Sequence, residues 1–320
     1  MLDTDPLVEI VGPGNVQVDS ELTRSSRTDW TGRFTCGPVP VVRPGSADEV
    51  RRLLALANRL RVPVVTQGGN TGLVGGGVPT TDAGMILSTR RLNAIGAIDH
   101  LGGHVTVGAG VVLGDLQRSL KGSGLIFGVD LGARDSCTIG GMVATNAGGI
   151  NFLRYGSMRR QVVGVEAVLG DATLVSHLNG LEKDNTGYDL EGLLTGSEGT
   201  LGVVTRVLLR LWPEQDQVTT AFLRFPDPAN AIEAAMRLKR SVSTLDAMEF
   251  MLEAGLQLVR DAFGPSFPGG SIPPAVLLVE SSGGDRSLAE LAEACDAVND
   301  LTLDEPSVAT DGSCSDVEMA

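Results

Sequence analysis

Residues 67–77 of this chain read Gln-Gly-Gly-Asn-Thr-Gly-Leu-Val-Gly-Gly-Gly, directly behind the apolar run that begins Val62-Pro63-Val64-Val65. Gly68, Gly69, Gly72, Gly75, Gly76 and Gly77 clear side chains from one short arc at the carboxyl end of an expected strand. Backbone N–H groups exposed in this way can converge on an anion, and unusual φ values cost little. The chemistry such a loop suits is the cradling of a phosphate. The best-known glycine fingerprints add a helix N-terminus just behind the loop. Here Val78-Pro79-Thr80-Thr81-Asp82-Ala83-Gly84 is turn-rich, and Met85-Ile86-Leu87-Ser88 reads as another strand. A G-x-G-x-x-G dinucleotide unit lacks its helix and a P-loop also lacks its lysine, so both are disfavoured. A glycine-rich surface hairpin without a ligand is the plain alternative.

Three later stretches carry similar potential. Gly132-Ala133-Arg134-Asp135-Ser136-Cys137-Thr138-Ile139-Gly140-Gly141-Met142-Val143-Ala144-Thr145-Asn146-Ala147-Gly148-Gly149 is built of small residues. Such backbone lies close either to a flat ligand or to another element in tight helix packing. Lys183-Asp184-Asn185-Thr186-Gly187-Tyr188-Asp189 is a polar turn before Leu190, Leu193 and Leu194. Gly196-Ser197-Glu198-Gly199-Thr200-Leu201-Gly202 turns into a strand over 203–211 that Pro213 ends.

The elements that must position these stretches follow from local pattern. Ser46-Ala47-Asp48-Glu49 is a capping box before Val50, Leu53, Leu54 and Ala57, whose spacing marks one buried helix face. A strand near 105–108 and a helix carrying Val112, Leu113, Leu116 and Leu120 follow. Residues 161–169 and 173–177 form an expected hairpin about Gly170-Asp171. From Thr219 onward strands (221–225, 248–251, 275–280) alternate with helices (229–240, 255–263, 288–298), a second α/β or α+β domain with helices over one face of a sheet. Residues 305–320 lack apolar periodicity and read as a disordered acidic tail.

Composition narrows the field. A chain of 320 residues with 42% hydrophobic content can bury a sizeable core. A net charge of −14 without a basic stripe argues against nucleic acid. No apolar stretch reaches membrane-spanning length and Met1-Leu2-Asp3-Thr4-Asp5 is acidic, so cytoplasmic residence is expected. Cys36, Cys137, Cys295 and Cys314 form no C-x-x-C pair and are expected as free thiols. His100 and His104 flank Leu101-Gly102-Gly103, which suits a solvated hairpin tip better than a metal site, and no metal is expected.

Taken in order, the four glycine blocks resemble the vanillyl-alcohol-oxidase-type (PCMH-type) FAD-binding domain, and within it the D-lactate, glycolate and D-2-hydroxyglutarate dehydrogenases. The match is carried by Gln67–Gly76, Ile139–Gly149, Lys183–Leu190 and Gly196–Gly202. The resemblance implies an α+β chain: an N-terminal segment over 1–37, a two-subdomain FAD-binding domain over 38–214, and an incomplete α/β substrate or cap domain over 215–304. It implies that Gly68, Gly69, Asn70, Thr71, Gly72 and Leu73 wrap the FAD pyrophosphate through backbone amides. Gly132, Ser136, Ile139, Gly140, Gly141, Thr145 and Asn146 would lie along the ADP and isoalloxazine moieties. Glu198, Gly199, Gly202 and Val203 would pack the adenine and ring edge. Asn70 stands where relatives with a covalent flavin carry histidine, so FAD is expected to be noncovalent.

The implied reaction is oxidation of a D-2-hydroxy acid, of lactate, glycolate or 2-hydroxyglutarate type, by hydride transfer to flavin N5, with the electron acceptor unassigned. Arg134, Arg154 and Lys183 are candidate anchors for the acid, each set against an ordinary solvated role. Glu198 is read as a carboxylate satisfying turn amides beside FAD rather than as the base, and no catalytic residue is assigned. The family's His-x-His, Gly-Asp-Gly-Asn and Glu-His stretches have no counterpart in this sequence. That departure suits a truncated or frame-shifted product or a recorded fragment, and it supports a second reading: an FAD-binding but catalytically incomplete fragment or a partner-dependent subunit, with a partner subunit or a homodimer as the expected assembly. A glycine-rich structural protein without cofactor is the third.

Overall fold

The computed structural model describes residues 2–181, 183–215, 217–264 and 271–310. Two compact units emerge: one holds the residues up to Gly149 together with Gly156–Pro213, the other holds Ile150–Tyr155 and the described residues from Glu214 onward.

The first unit starts from the Ala47–Leu60 helix. Ser46 Oγ accepts from Glu49 N at 3.1 Å, and the Glu49 carboxylate accepts from Gly45 N at 2.7 Å, one residue outside the expected box. The buried face of this helix, Val50, Leu53, Leu54 and Ala57, packs with residues of a small sheet. That sheet contains β1 (Val16–Gln17), β2 (Val41–Val42), β3 (Val64–Gln67) and β4 (Met85–Ser88), ordered β1-β2-β4-β3. β4 runs parallel to both β2 and β3. All of β4 is buried, which is why its sequence is continuously apolar up to Ser88. The Asp5–Val11 helix places Leu7 and Val11 in the same core, so packing draws no boundary at residue 37.

The rest of this unit adds β5 (Ile95–Asp99), β6 (His104–Gly108), β7 (Leu125–Ile126), β8 (Val162–Leu169), β9 (Leu174–His177), β10 (Gly202–Arg210) and β11 (Trp212–Pro213). Five form an antiparallel sheet in the order β5-β6-β10-β8-β9, and β7 pairs with β11. The Leu113–Leu120 and Ile139–Thr145 helices share one core with Val105, Val107, Val165, Val207 and Leu209 of this sheet. The β8–β9 hairpin forms about Gly170-Asp171 as expected, with Ala172 in the left-handed position at φ 69°. The β5–β6 tip exposes Leu101 fully, but His104 is buried, a correction to its expected solvation.

The second unit is an antiparallel sheet of β12 (Val218–Phe225), β13 (Leu245–Leu252), β14 (Ala275–Ser282) and β15 (Ser307–Thr310), ordered β13-β14-β12-β15. The Pro228–Ser241 and Asp285–Asp296 helices bury Ala231, Ala234, Leu238, Leu291 and Cys295 with Leu223, Phe225, Leu277 and Val279. β15 corrects the expectation of a tail from residue 305. Four residues with no helical or strand period of their own pair with β12 from Thr219↔Thr310 to Phe222↔Ser307, a long-range contact that no local pattern signals. Residues 311–320, Cys314 among them, lie outside the described residues.

Candidate functional site

β3 ends at Gln67 and releases the glycine loop into a cavity of ≈ 560 Å³ within the first unit. No backbone N–H from Gly68 to Gly77 has a partner among the described residues. Two amide side chains hold the loop open instead. Gln67 Nε2 donates to Ser26 O at 2.8 Å and Gly77 O at 2.7 Å. Asn70 Nδ2 donates to Ser25 O at 3.1 Å and Thr28 O at 2.8 Å, with Asn70 itself left-handed at φ 57°. Close approach makes glycine obligatory at Gly69, where a Cβ would stand 2.1 Å from Ser136 O. No Lys or Arg lines this cavity, whose charged residues are Asp29 and Glu198, so backbone amides are the groups available to an anion.

The opposite wall is the Ile139–Thr145 helix and its approach. Gly140 N donates to Ala109 O at 2.7 Å, and a Cβ there would meet Ala109 Cβ at 2.6 Å, so close helix packing and cavity lining coincide at this residue. The turn after it is tied to the helix: Gly196 N donates to Val143 O at 2.9 Å and Glu198 N to Ala144 O at 2.8 Å. Those bonds set Glu198 (φ 52°) and Gly199 (φ 75°) at the cavity edge.

Of the residues singled out in the sequence, the cavity is lined by Gly68, Gly69, Asn70, Thr71, Gly72, Leu73, Gly132, Gly140, Gly141, Thr145, Glu198, Gly199 and Gly202. Ser136, Ile139, Asn146 and Val203 do not line it. Ser136 contributes its carbonyl against Gly69 from outside. Ile139 is fully buried in the core beneath the helix. Asn146 caps that helix at φ 49° and accepts from Arg159 N at 3.0 Å. Val203 points into the other core, and strand alternation brings Val204 to the cavity in its place.

Sequence reasoning missed Thr138. It is the N-cap of the Ile139–Thr145 helix, lines the cavity, is 1% exposed, and its Oγ1 has no hydrogen-bond partner among the described residues. The available signal was a threonine directly before the first helical residue, a capping position. Cys137 also lines the cavity, and burial pushes its thiol up, so it stays neutral. Glu198 accepts no bond from its own turn amides, a correction to the expected role, and its side chain is exposed.

The expected anchors separate. Arg134 pairs with Asp130 at 2.6 Å. Arg154 lies in the second unit, donating to Asp246 Oδ1 at 2.8 Å and to Ser282 O at 2.9 Å. Lys183 is exposed in the loop after β9. A second cavity of ≈ 790 Å³ is lined by Arg91, Leu92, Ile95, Glu166 and Arg206 among others, but its charges are already paired: Arg206 Nε donates to Glu166 Oε1 at 2.9 Å, and Arg91 pairs with Glu49, outside the lining, at 3.5 Å. Among the described residues no three His, Cys, Asp or Glu side chains could hold a metal ion, and no helix is long and apolar enough to cross a membrane.

Comparison with known proteins matches residues 38–177 to the FAD binding domain family and residues 214–313 to the C-terminal domain of FAD linked oxidases. The chain is 37% identical to a mitochondrial D-2-hydroxyglutarate dehydrogenase of Arabidopsis thaliana, over 89% of this chain and 51% of that protein. It is 40% identical to the mitochondrial D-2-hydroxyglutarate dehydrogenase of Rattus norvegicus, over 86% of this chain and 51% of that protein. The chain thus spans about half the length of these relatives. Among solved structures, an alkyldihydroxyacetonephosphate synthase aligns at TM-score 0.74 and 21% identity, over 93% of this chain and 62% of that one, a likeness of fold.

Proposed function

The chain belongs to the FAD-linked oxidase family, and from that premise we propose that it oxidises a D-2-hydroxy acid of the lactate, glycolate or 2-hydroxyglutarate type. The observation that carries the proposal is the run of unpartnered amides from Gly68 to Gly77, lining one cavity together with the orphaned Thr138 hydroxyl beside Gly68. A cradle of backbone amides of that kind fits a pyrophosphate, and the buried Thr138 Oγ1 is a polar atom that a ligand would satisfy. FAD therefore suits the residues present. When bound, the flavin would supply the two-electron acceptor for the hydride leaving the hydroxyl-bearing carbon, while the hydroxyl gives up its proton.

The chain's own part is to bind and orient. Gly68–Gly77 would offer N–H groups to the phosphates, Gly140 and Gly141 would admit close approach, and Thr138 would offer a hydroxyl hydrogen bond. Asn70 supports a noncovalent cofactor, since its amide is engaged with Ser25 and Thr28 carbonyls and has no nucleophile to offer. The relatives named for D-2-hydroxyglutarate support the choice of acid.

A second reading is favoured by the pairing of Arg134 with Asp130 and of Arg154 with Asp246: the chain holds FAD but relies on other residues to grip the acid. Both readings expect purified protein to show the flavin absorbance band, or to gain it on reconstitution with FAD. Anaerobic addition of D-lactate, glycolate or D-2-hydroxyglutarate should then bleach it. Persistent yellow colour with every acid would leave the second reading standing, and a folded protein that never takes up FAD would sink both.

A further inference from the structure

The block Lys183–Leu190 marks the family in the sequence, yet none of its residues lines the cavity. Its Asp184 reaches His177, the last residue of β9, whose Nε2 also has Asn179 Nδ2 at 2.9 Å. Asp184 Oδ2 lies 2.9 Å from His177 Nε2 and 3.0 Å from Asn179 Nδ2, and Asp184 Oδ1 accepts from Thr186 N at 2.8 Å. The other ring nitrogen, Nδ1, meets Glu191 Oε1. A ring that faces carboxylates from both nitrogens can donate to both only as the imidazolium.

Glu191 belongs to the Leu190–Leu194 helix, whose first turn is capped by Asp189, accepting from Gly192 N at 2.6 Å. Its far end is held by Arg159, which donates to the carbonyls of Gly192 and Thr195, the latter at 2.5 Å. Two residues on, the chain enters the Ser197–Gly199 turn that lines the cavity and is tied to Val143 and Ala144. One short helix thus spans the interval between the sheet edge at His177 and a wall of the cofactor cavity.

We infer that this helix is a latch: His177, gripping Glu191 and Asp184 as an imidazolium, positions the Ser197–Gly199 wall and makes FAD affinity depend on pH. The inference rests on the flavin reading of the cavity. The hydrogen bond to Glu191, with Asp184 adding to it, holds the His177 imidazole above its usual range. The charged groups facing the ring are Asp184 from its own loop and Glu191 from the helix, while β8 presents Val165 opposite it. For a group whose folded value is raised, the stabilisation is complete below the usual imidazole value and is lost as pH rises through the raised one. The latch is therefore closed on the acid side and released on the alkaline side.

The test is FAD titration of the whole chain, followed by flavin fluorescence, from about pH 6 to about pH 9. Wild type should lose about 5- to 10-fold in affinity over that interval. His177→Gln and Glu191→Gln should bind weakly with a flat profile, and His177→Lys, which keeps the cation, should bind tightly across it. Circular dichroism establishes folding, and if His177→Gln fails to fold, wild type against Glu191→Gln and His177→Lys decides. An unchanged pH profile in the Gln variants overturns the latch while leaving the flavin site intact. Absence of FAD binding by any variant at any pH overturns the flavin reading and the latch with it.

Discussion

Gly69 and Thr138 lie where the glycine loop packs directly on the 136–138 segment, and they illustrate what single positions do here. A methyl at residue 69 would fall 2.1 Å from the Ser136 carbonyl, a backbone atom that cannot swing aside. Gly69→Ala should lower stability by about 1–3 kcal/mol and weaken FAD at least about tenfold, read by melting and flavin titration together. Thr138→Val keeps the shape and removes the orphaned hydroxyl. It should leave the apoprotein as stable or slightly more so, because a buried oxygen without a partner is lost, and should weaken FAD by about 1 kcal/mol. The glycines were legible in the sequence, because a missing Cβ is a property of the residue itself. Thr138, and the exchange of Val203 for Val204, were not: strand phase and an unsatisfied hydroxyl exist only once neighbours are in place.

Elements carry their own predictions. Ser46→Ala removes the cap bond to Glu49 N and should cost about 1 kcal/mol, seen as a lower urea midpoint at unchanged slope. Between β8 and β10, the hydrogen bond from Arg206 holds the Glu166 carboxyl below its usual range, burial opposing it and Thr205 adding to it. Because that value is depressed, its contribution is present above the ordinary carboxylate pKa of about 4.3 and is lost as pH falls through the depressed one. Glu166→Gln should therefore flatten the stability profile between about pH 3 and 5, and identical wild-type and variant profiles would contradict it. Arg206 is half exposed, so solvent screens the ion pair and the neutral-pH loss should stay near about 1 kcal/mol. Helix caps, the β8–β9 hairpin and the strand periods were readable because each depends on residues close in sequence. β15 was not, because it pairs with β12, more than eighty residues away, and packs Val308 on a core built from other elements.

At the scale of the whole molecule, each unit has its own core, and every cavity residue belongs to the first. Leu277→Ala should destabilise the second unit by about 3 kcal/mol and leave FAD affinity unchanged. In a melt, FAD should raise the transition of the first unit in proportion to the logarithm of its concentration, and a variant that loses FAD on this substitution would refute the assignment. From the sequence alone came the four glycine blocks and the alternation of strands and helices, written in residue type and short spacing, while the noncovalent cofactor expected at Asn70 came from the resemblance to the family. Tertiary structure decided which of those residues face the cavity, sent Arg154 to Asp246 in the second unit, and set His177 between Asp184 and Glu191. The reason is physical: side-chain direction and ion pairing are fixed by contacts between distant parts of the chain, and local pattern carries no record of them.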